Sequence, residues 1–143
     1  MGKEIGWAEP GALIGQPRTH QVAGFHYLFV EEKRVAESEV GSAMGRLFPK
    51  VFAAGASVFG AAGSPPVLAM YIDLEPKMYD VQLGFAVQPG TAAAGDARVR
   101  YVEPALVASI VVGGGIESVI KSYGPLMDYM TANGLKCVEG WRE

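Results

Sequence analysis

Two hydrophobic periods run along this chain and divide it into predicted strands and predicted helices. Alternation of apolar residues with polar or small ones is typical of strands. Segments of this kind, rich in β-branched and aromatic residues, occur at residues 12–14, 21–30, 67–72, 79–87 and 98–112. The short turn between the third and fourth segments predicts an antiparallel hairpin. The last segment is predicted to carry a bulge at Glu103-Pro104, and the charged run Glu31–Arg34 is predicted to be a loop.

The longer period of three to four residues marks two helices. The first is predicted to begin near Ser38, to kink at Pro49 or break just before it, and to end at Gly55. The second is predicted from Ile116 to the Asn133-Gly134 pair, which is a typical stop signal. The apolar stripe of the first helix consists of Val40, Met44, Leu47, Phe48, Val51 and Phe52.

Strand, helix and strand occur in the same order in both halves of the chain. The halves cover about residues 12–88 and 97–143, and a Gly- and Pro-rich segment lies between them. A length of 143 residues favours one domain, so residues 1–143 are predicted to form a single duplicated α+β domain. Such a duplication suggests a ligand cleft between two half-modules.

Composition excludes several classes of function. A net charge of −3 without a basic run argues against direct nucleic-acid binding. Two histidines and one cysteine make no credible metal set, and we predict no cofactor. The single Cys137 indicates a reducing, cytoplasmic setting, and no apolar segment is long enough to span a membrane. Neither a P-loop nor a Gly-x-Ser-x-Gly motif occurs.

Several segments, taken together in their order, resemble a GyrI-like domain, the effector-binding module of MerR-type multidrug regulators. The matching segments are Pro65–Asp73, Tyr79–Val87, the turn at 113–115 with its helix, Ala132–Leu135 and Gly140–Glu143. The resemblance covers about residues 12–143. It implies two β-α-β-β modules related by a pseudo-twofold axis, with both helices on one face of an antiparallel sheet and a concave, aromatic-lined ligand groove on the other.

The resemblance also implies where a ligand would bind. In such domains a glutamate on the strand after the second helix faces bulky apolar or cationic ligands, and Glu143 occupies that position, while Gln82 stands where the family usually has an acid. Tyr71 matches a tyrosine of the family pattern. Trp141, Tyr27 and Phe29 are further candidates for an aromatic box, because aromatic rings attract cations. We expect Tyr71 to face the groove, and the strand's other face, with Leu68, Met70 and Ile72, to meet the helices.

Three functions stay open at this point. The first is a stand-alone domain that senses or sequesters bulky apolar or cationic molecules. The second is a hydrolase of cyclopropane-containing alkylating natural products, in which Glu143 is the general base. The third is a protein-interaction module like a gyrase inhibitor. Because the family has one more strand after the Glu143 position, we expect an open sheet edge along Val81–Val87 and Gly140–Glu143, covered by the N-terminal segment, a partner chain or a second copy.

Overall fold

The computed structural model describes residues 14–93, 95–114 and 116–143. All pairing between its strands is antiparallel, and two α-helices accompany them, which confirms the predicted α+β class. In chain order the elements are β1 (Arg18–Val22), β2 (Phe25–Ala36), α1 (Val40–Phe59), β3 (Leu68–Glu75), β4 (Met78–Val87), β5 (Arg98–Val102), β6 (Ala105–Ser109), α2 (Ile116–Ala132) and β7 (Gly140–Arg142).

These residues form two compact units, each with its own sheet. The two-stranded unit contains the described residues before Gly24 together with Pro104–Cys137. The five-stranded unit contains Gly24–Glu103 and Val138–Glu143. Each unit therefore draws on both the first and the second half of the chain.

The two-stranded unit joins β1 to β6 and places α2 in contact with β6. An isolated bridge between Ile14 and Val112 extends the pairing, while the rest of the strand predicted at 12–14 lies outside the described residues. The Thr19 and Tyr129 hydroxyls lie 2.7 Å apart and tie α2 to β1. The predicted helix stop is confirmed, because Gly134 adopts a φ of 67° just after the helix.

The five-stranded sheet has the order β5-β2-β4-β3-β7. The predicted hairpin is confirmed as β3 and β4. Since β4 lies between β2 and β3, the expectation of an open edge along Val81–Val87 is wrong. Among the described residues, the strands at the edges of this sheet are β5 and β7.

The two faces of the five-stranded sheet are both apolar but differ in their neighbours. On one face, which we call the helix-side face, Leu47 and Val51 of α1 pack in one core cluster with residues of β2, β3 and β4. That cluster includes Ala69 and Tyr71, whereas Leu68, Met70 and Ile72 belong to a separate cluster on the other face. The sequence analysis expected Leu68, Met70 and Ile72 to face the helices and Tyr71 to face away from them. This expectation is wrong for α1, because Tyr71 packs in the cluster that contains α1 residues.

Strand β2 is longer than predicted, because it continues through the charged segment that was expected to be a loop. A bulge between Glu32 and Val35 accommodates Arg34, whose φ is 54°. The Glu32 carboxylate accepts two hydrogen bonds of 2.8 Å from the Arg46 guanidinium on α1, and these bonds lower the pKa of Glu32. The charged side chains are thus paired across the sheet and helix, which lets the strand continue.

Helix α1 is continuous across Pro49 and Gly55, where a kink or break and an end were predicted. Pro49 lies within the helix, which continues to Phe59. Gly55 is buried rather than terminal, since a Cβ there would lie 2.8 Å from Cε2 of Phe85. The apolar stripe is also shifted, because Phe48 and Phe52 are 37% and 56% exposed.

Two predicted strands are each divided between the sheets. The segment at 98–112 breaks at Glu103-Pro104, and β5 and β6 join different sheets. Proline lacks the N–H that a continuous ladder requires, so a break replaces the predicted bulge. The segment at 21–30 likewise divides at Ala23-Gly24 into the end of β1 and the start of β2. Among the described residues, no helix is long and apolar enough to cross a membrane.

Substitution of Gly84 tests the close packing of β2 on β4. An added Cβ would collide with the carbonyl oxygen of Leu28 and lie 2.8 Å from the Tyr27 ring. We expect Gly84→Ala to lower the free energy of unfolding by at least about 2 kcal/mol in urea titrations. Gly45→Ala is the control, because its Cβ meets nothing within 4 Å, and it should stabilise by about 0.5–1 kcal/mol. Similar effects of the two substitutions would contradict this packing.

Candidate functional site

Pairing of β7 with β3 brings three of the predicted site residues together. Trp141 lies opposite Tyr71 in the register, and Glu143 exchanges two backbone hydrogen bonds of 2.8 Å with Ala69. Gly140 permits this approach, because its φ is 151° and a Cβ would collide with the carbonyl oxygen of Tyr71. We call Tyr71, Trp141 and Glu143 the carboxylate cluster.

A hydrogen bond joins the polar ends of the carboxylate cluster. The Tyr71 hydroxyl donates to Oε1 of Glu143 over 2.8 Å, and Tyr71 is 8% exposed. The Tyr79 ring packs edge-on against Tyr71 at 6.3 Å, and its own hydroxyl donates to Glu37. Trp141 packs against the same core. A carboxylate beside aromatic rings is an arrangement that attracts an organic cation, and an oriented carboxylate can also act as a base.

Tyr27 and Phe29 lie on the opposite face of the same sheet. Their rings stack with centroids 5.3 Å apart and an interplanar angle of 8°. The Tyr27 hydroxyl donates to the carbonyl oxygen of Leu68 over 2.6 Å. The five predicted site residues therefore form two groups, and the sheet separates Tyr27 and Phe29 from the carboxylate cluster.

Two arginines on β5 complete the surroundings of Tyr27 and Phe29. The Arg98 guanidinium lies 5.1 Å from the centroid of Phe29, and that of Arg100 lies 5.6 Å from Phe29 and 5.5 Å from Tyr27. We call this set, completed by Phe25 and Met70, the arginine–aromatic face. Sequence reasoning missed both arginines, although their spacing of two residues places them on one face of a strand.

Four polar side chains are linked by hydrogen bonds in an open chain on this face. Arg98 donates to Oε1 of Glu31, and Gln82 donates to the other oxygen of Glu31 over 2.8 Å. Arg100 in turn donates to Oε1 of Gln82 through Nη2 at 2.8 Å and Nε at 3.3 Å. Gln82 is 6% exposed, so these bonds supply the partners that a buried amide requires.

This chain resembles known proteins in structure but not in sequence. No family model matches it, and no curated protein matches it in sequence. The crystal structure of the EcmrR C-terminal domain superposes with a TM-score of 0.66 at 15% identity, covering 89% of this chain and 81% of that one. The chain has the fold of that domain. The likeness supports the α+β architecture that the sequence resemblance implied.

A second structure, the cryo-EM structure of the EcmrR–DNA complex in EcmrR-RPo, also matches. Its TM-score is 0.63 at 17% identity, and the match covers 91% of this chain. The match takes in 48% of the EcmrR chain, so our chain spans about half the length of that protein. At these identities the likeness to EcmrR concerns the fold.

Coupling between Tyr71 and Glu143 is measurable by a double-mutant cycle. We expect Tyr71→Phe and Glu143→Gln to show a coupling free energy of about 1 kcal/mol in urea unfolding, because the first removes the donor and the second removes the charge that strengthens the same hydrogen bond. Tyr129→Phe is the control, since its hydroxyl bonds Thr19, and its effect should add to that of Glu143→Gln. A coupling of zero for Tyr71 and Glu143 would contradict the contact.

Alkaline unfolding reports on the burial of Tyr27. Burial raises the pKa of the Tyr27 hydroxyl well above its usual value, and Arg100 and then Arg142 oppose this only in part. As the pH rises, Tyr27 therefore loses its proton in the unfolded chain before it does so in the folded one. Its contribution to the free energy of unfolding is complete below about pH 10 and declines as the pH rises further. Tyr27→Phe should make the decline of unfolding free energy shallower by up to about 1.4 kcal/mol per pH unit. An unchanged slope would contradict this.

Proposed function

We propose that this chain is a small-molecule-binding domain that takes bulky apolar or cationic compounds at the carboxylate cluster. The observation that carries the proposal is the 2.8 Å hydrogen bond from Tyr71 to Glu143 beside Trp141. The fold shared with the EcmrR C-terminal domain supports it. The role would be to sense such a compound for a partner or to sequester it, in a cytoplasmic setting that suits the lone Cys137.

The chemistry of the carboxylate cluster favours a cation over a neutral molecule. Glu143 is exposed directly after β7, so an approaching cation gains Coulomb attraction to its carboxylate that a neutral isostere does not. The Tyr71 and Trp141 rings add apolar contact and attract positive charge through their faces. The Tyr71 hydroxyl fixes the direction of the Glu143 oxygens, which reduces the ordering cost on binding.

The same contact also favours a hydrolase as a second candidate. In that reaction Glu143 would accept a proton from a water whose oxygen attacks a cyclopropane carbon. The strained C–C bond would break, its electron pair would pass to the conjugated carbonyl, and the resulting enolate would take up a proton from solvent. Tyr71, which donates to Glu143, would hold the base in position. Hydrolysis of an activated cyclopropane by the wild-type chain, lost in a folded Glu143→Gln variant, would establish catalysis. Binding of that compound without turnover would leave the binding function.

We also propose that the domain associates with a second copy of itself or with another chain through the sheet edge at β7. We expect the domain itself to make no direct contact with nucleic acid, because the net charge of the chain is −3.

A thermal-shift and titration experiment tests the binding function. The probes are an aryl-substituted quaternary ammonium cation and its uncharged carbon isostere. We expect the cation, at about 100 times its Kd, to stabilise the wild type by about 2.7 kcal/mol, and to bind Glu143→Gln at least about tenfold more weakly. The isostere should bind both proteins equally.

Glu75→Gln supplies the charge-matched control, because Glu75 is an exposed acid that pairs with Arg34. It should bind the cation like the wild type. Equal losses in both variants would indicate a general charge effect and contradict the proposal. Absence of any shift in the wild type would contradict binding and favour the interaction module.

A further inference from the structure

One arginine of the arginine–aromatic face lacks the counter-ion that its neighbours have. Arg98 pairs with Glu31, and Arg142, on the same side of the sheet, pairs with Glu139. Arg100 donates instead to a neutral amide oxygen, that of Gln82, and to the sulfur of Met70. Among the described residues no carboxylate lies within ion-pair distance of Arg100.

Arg100 is also held in place and partly removed from water. Its guanidinium lies near the rings of Tyr27 and Phe29, and its Nε and Nη2 groups are bound to Gln82. Its Nη1 group has no hydrogen-bond partner among the described residues. A half-buried, uncompensated guanidinium is costly, and the planar fork is suited to a carboxylate. Glu31, which bonds the same Gln82 amide, is already engaged by Arg98 and Lys33.

The surroundings of Arg100 fit an aromatic compound that carries one negative charge. Phe25, Leu68 and Ile72 are half-buried on this face and pack around Tyr27, Phe29 and Met70. A flat ring can lie against such side chains while its anionic group reaches Nη1. Arg98 adds a second positive charge at the same ring, so the local charge of Arg98, Glu31 and Arg100 is positive.

We propose that the arginine–aromatic face is a second binding site, specific for small aromatic carboxylates, with Arg100 as the anion-binding residue. This site lies on the opposite face of the sheet from the carboxylate cluster. Its ligand has the opposite charge to the one expected there. The proposal does not depend on the function of Glu143.

Calorimetric titration with naphthalene-2-carboxylate and its uncharged carboxamide tests the site. We expect the wild type to prefer the carboxylate, and Arg100→Gln to bind the carboxylate about tenfold more weakly while binding the carboxamide unchanged. Arg34→Gln is the charge-matched control, because Arg34 is 64% exposed and lies on the same unit, and it should retain wild-type affinity. Glu143→Gln should also retain it, which separates this site from the proposed function.

A second variant keeps the test decisive if Arg100→Gln does not fold. Gln82→Glu places a carboxylate where Nε and Nη2 of Arg100 now donate, and so supplies the missing counter-ion. It should weaken carboxylate binding about tenfold without removing the arginine. The proposal is overturned if the wild type does not prefer the carboxylate, if Arg34→Gln weakens binding equally, or if the folded variants at Arg100 and Gln82 leave it unchanged.

Discussion

Antiparallel pairing of β2 with β4 is the interaction on which the rest of the five-stranded unit depends. Every residue of β4 from Val81 to Phe85 is buried, so both sides of this strand pair face protein. Helix α1 packs against one side, where it contacts aliphatic side chains and Phe85. The other side carries Tyr27 and Phe29 over the position of Gly84, where the absence of a side chain leaves room for the Tyr27 ring. The buried amide of Gln82 on β4 accordingly has hydrogen-bond partners for both its nitrogen and its oxygen.

This constraint explains why the charged chemistry of the unit is divided between two faces. Side chains of successive residues in a strand point to opposite sides, so Tyr71 and Met70 belong to different environments although they are neighbours in sequence. The Tyr71 hydroxyl donates to the acidic Glu143, and the Met70 sulfur accepts a hydrogen bond from the basic Arg100. A single sheet thus separates an acidic group from a basic one without any ion pair between them.

Local patterns predicted the elements of this chain better than they predicted which face each residue takes. The β3–β4 hairpin and the end of α2 follow from short-range signals, namely a tight turn and Asn133-Gly134. The orientation of β3 was not predictable by the same means, because a strand buried on both sides is apolar in both registers. The contacts of Arg98 and Arg100 were missed because they require the pairing of β5 with β2, which are distant in sequence. The family resemblance had indicated Tyr71 and Glu143 separately, and the hydrogen bond between them became visible only in the structure, on the face that packs with α1.

Local opening of strand β7 would take the carboxylate cluster apart. It is three residues long, and its neighbour in the sheet order is β3. A short edge strand is among the elements that open locally at a lower free energy than global unfolding requires. In the opened state Trp141 and Glu143 leave Tyr71, and the site no longer exists while the rest of the sheet persists. The measured affinity of any ligand at this cluster is then its intrinsic affinity scaled by the fraction of molecules in which β7 is docked.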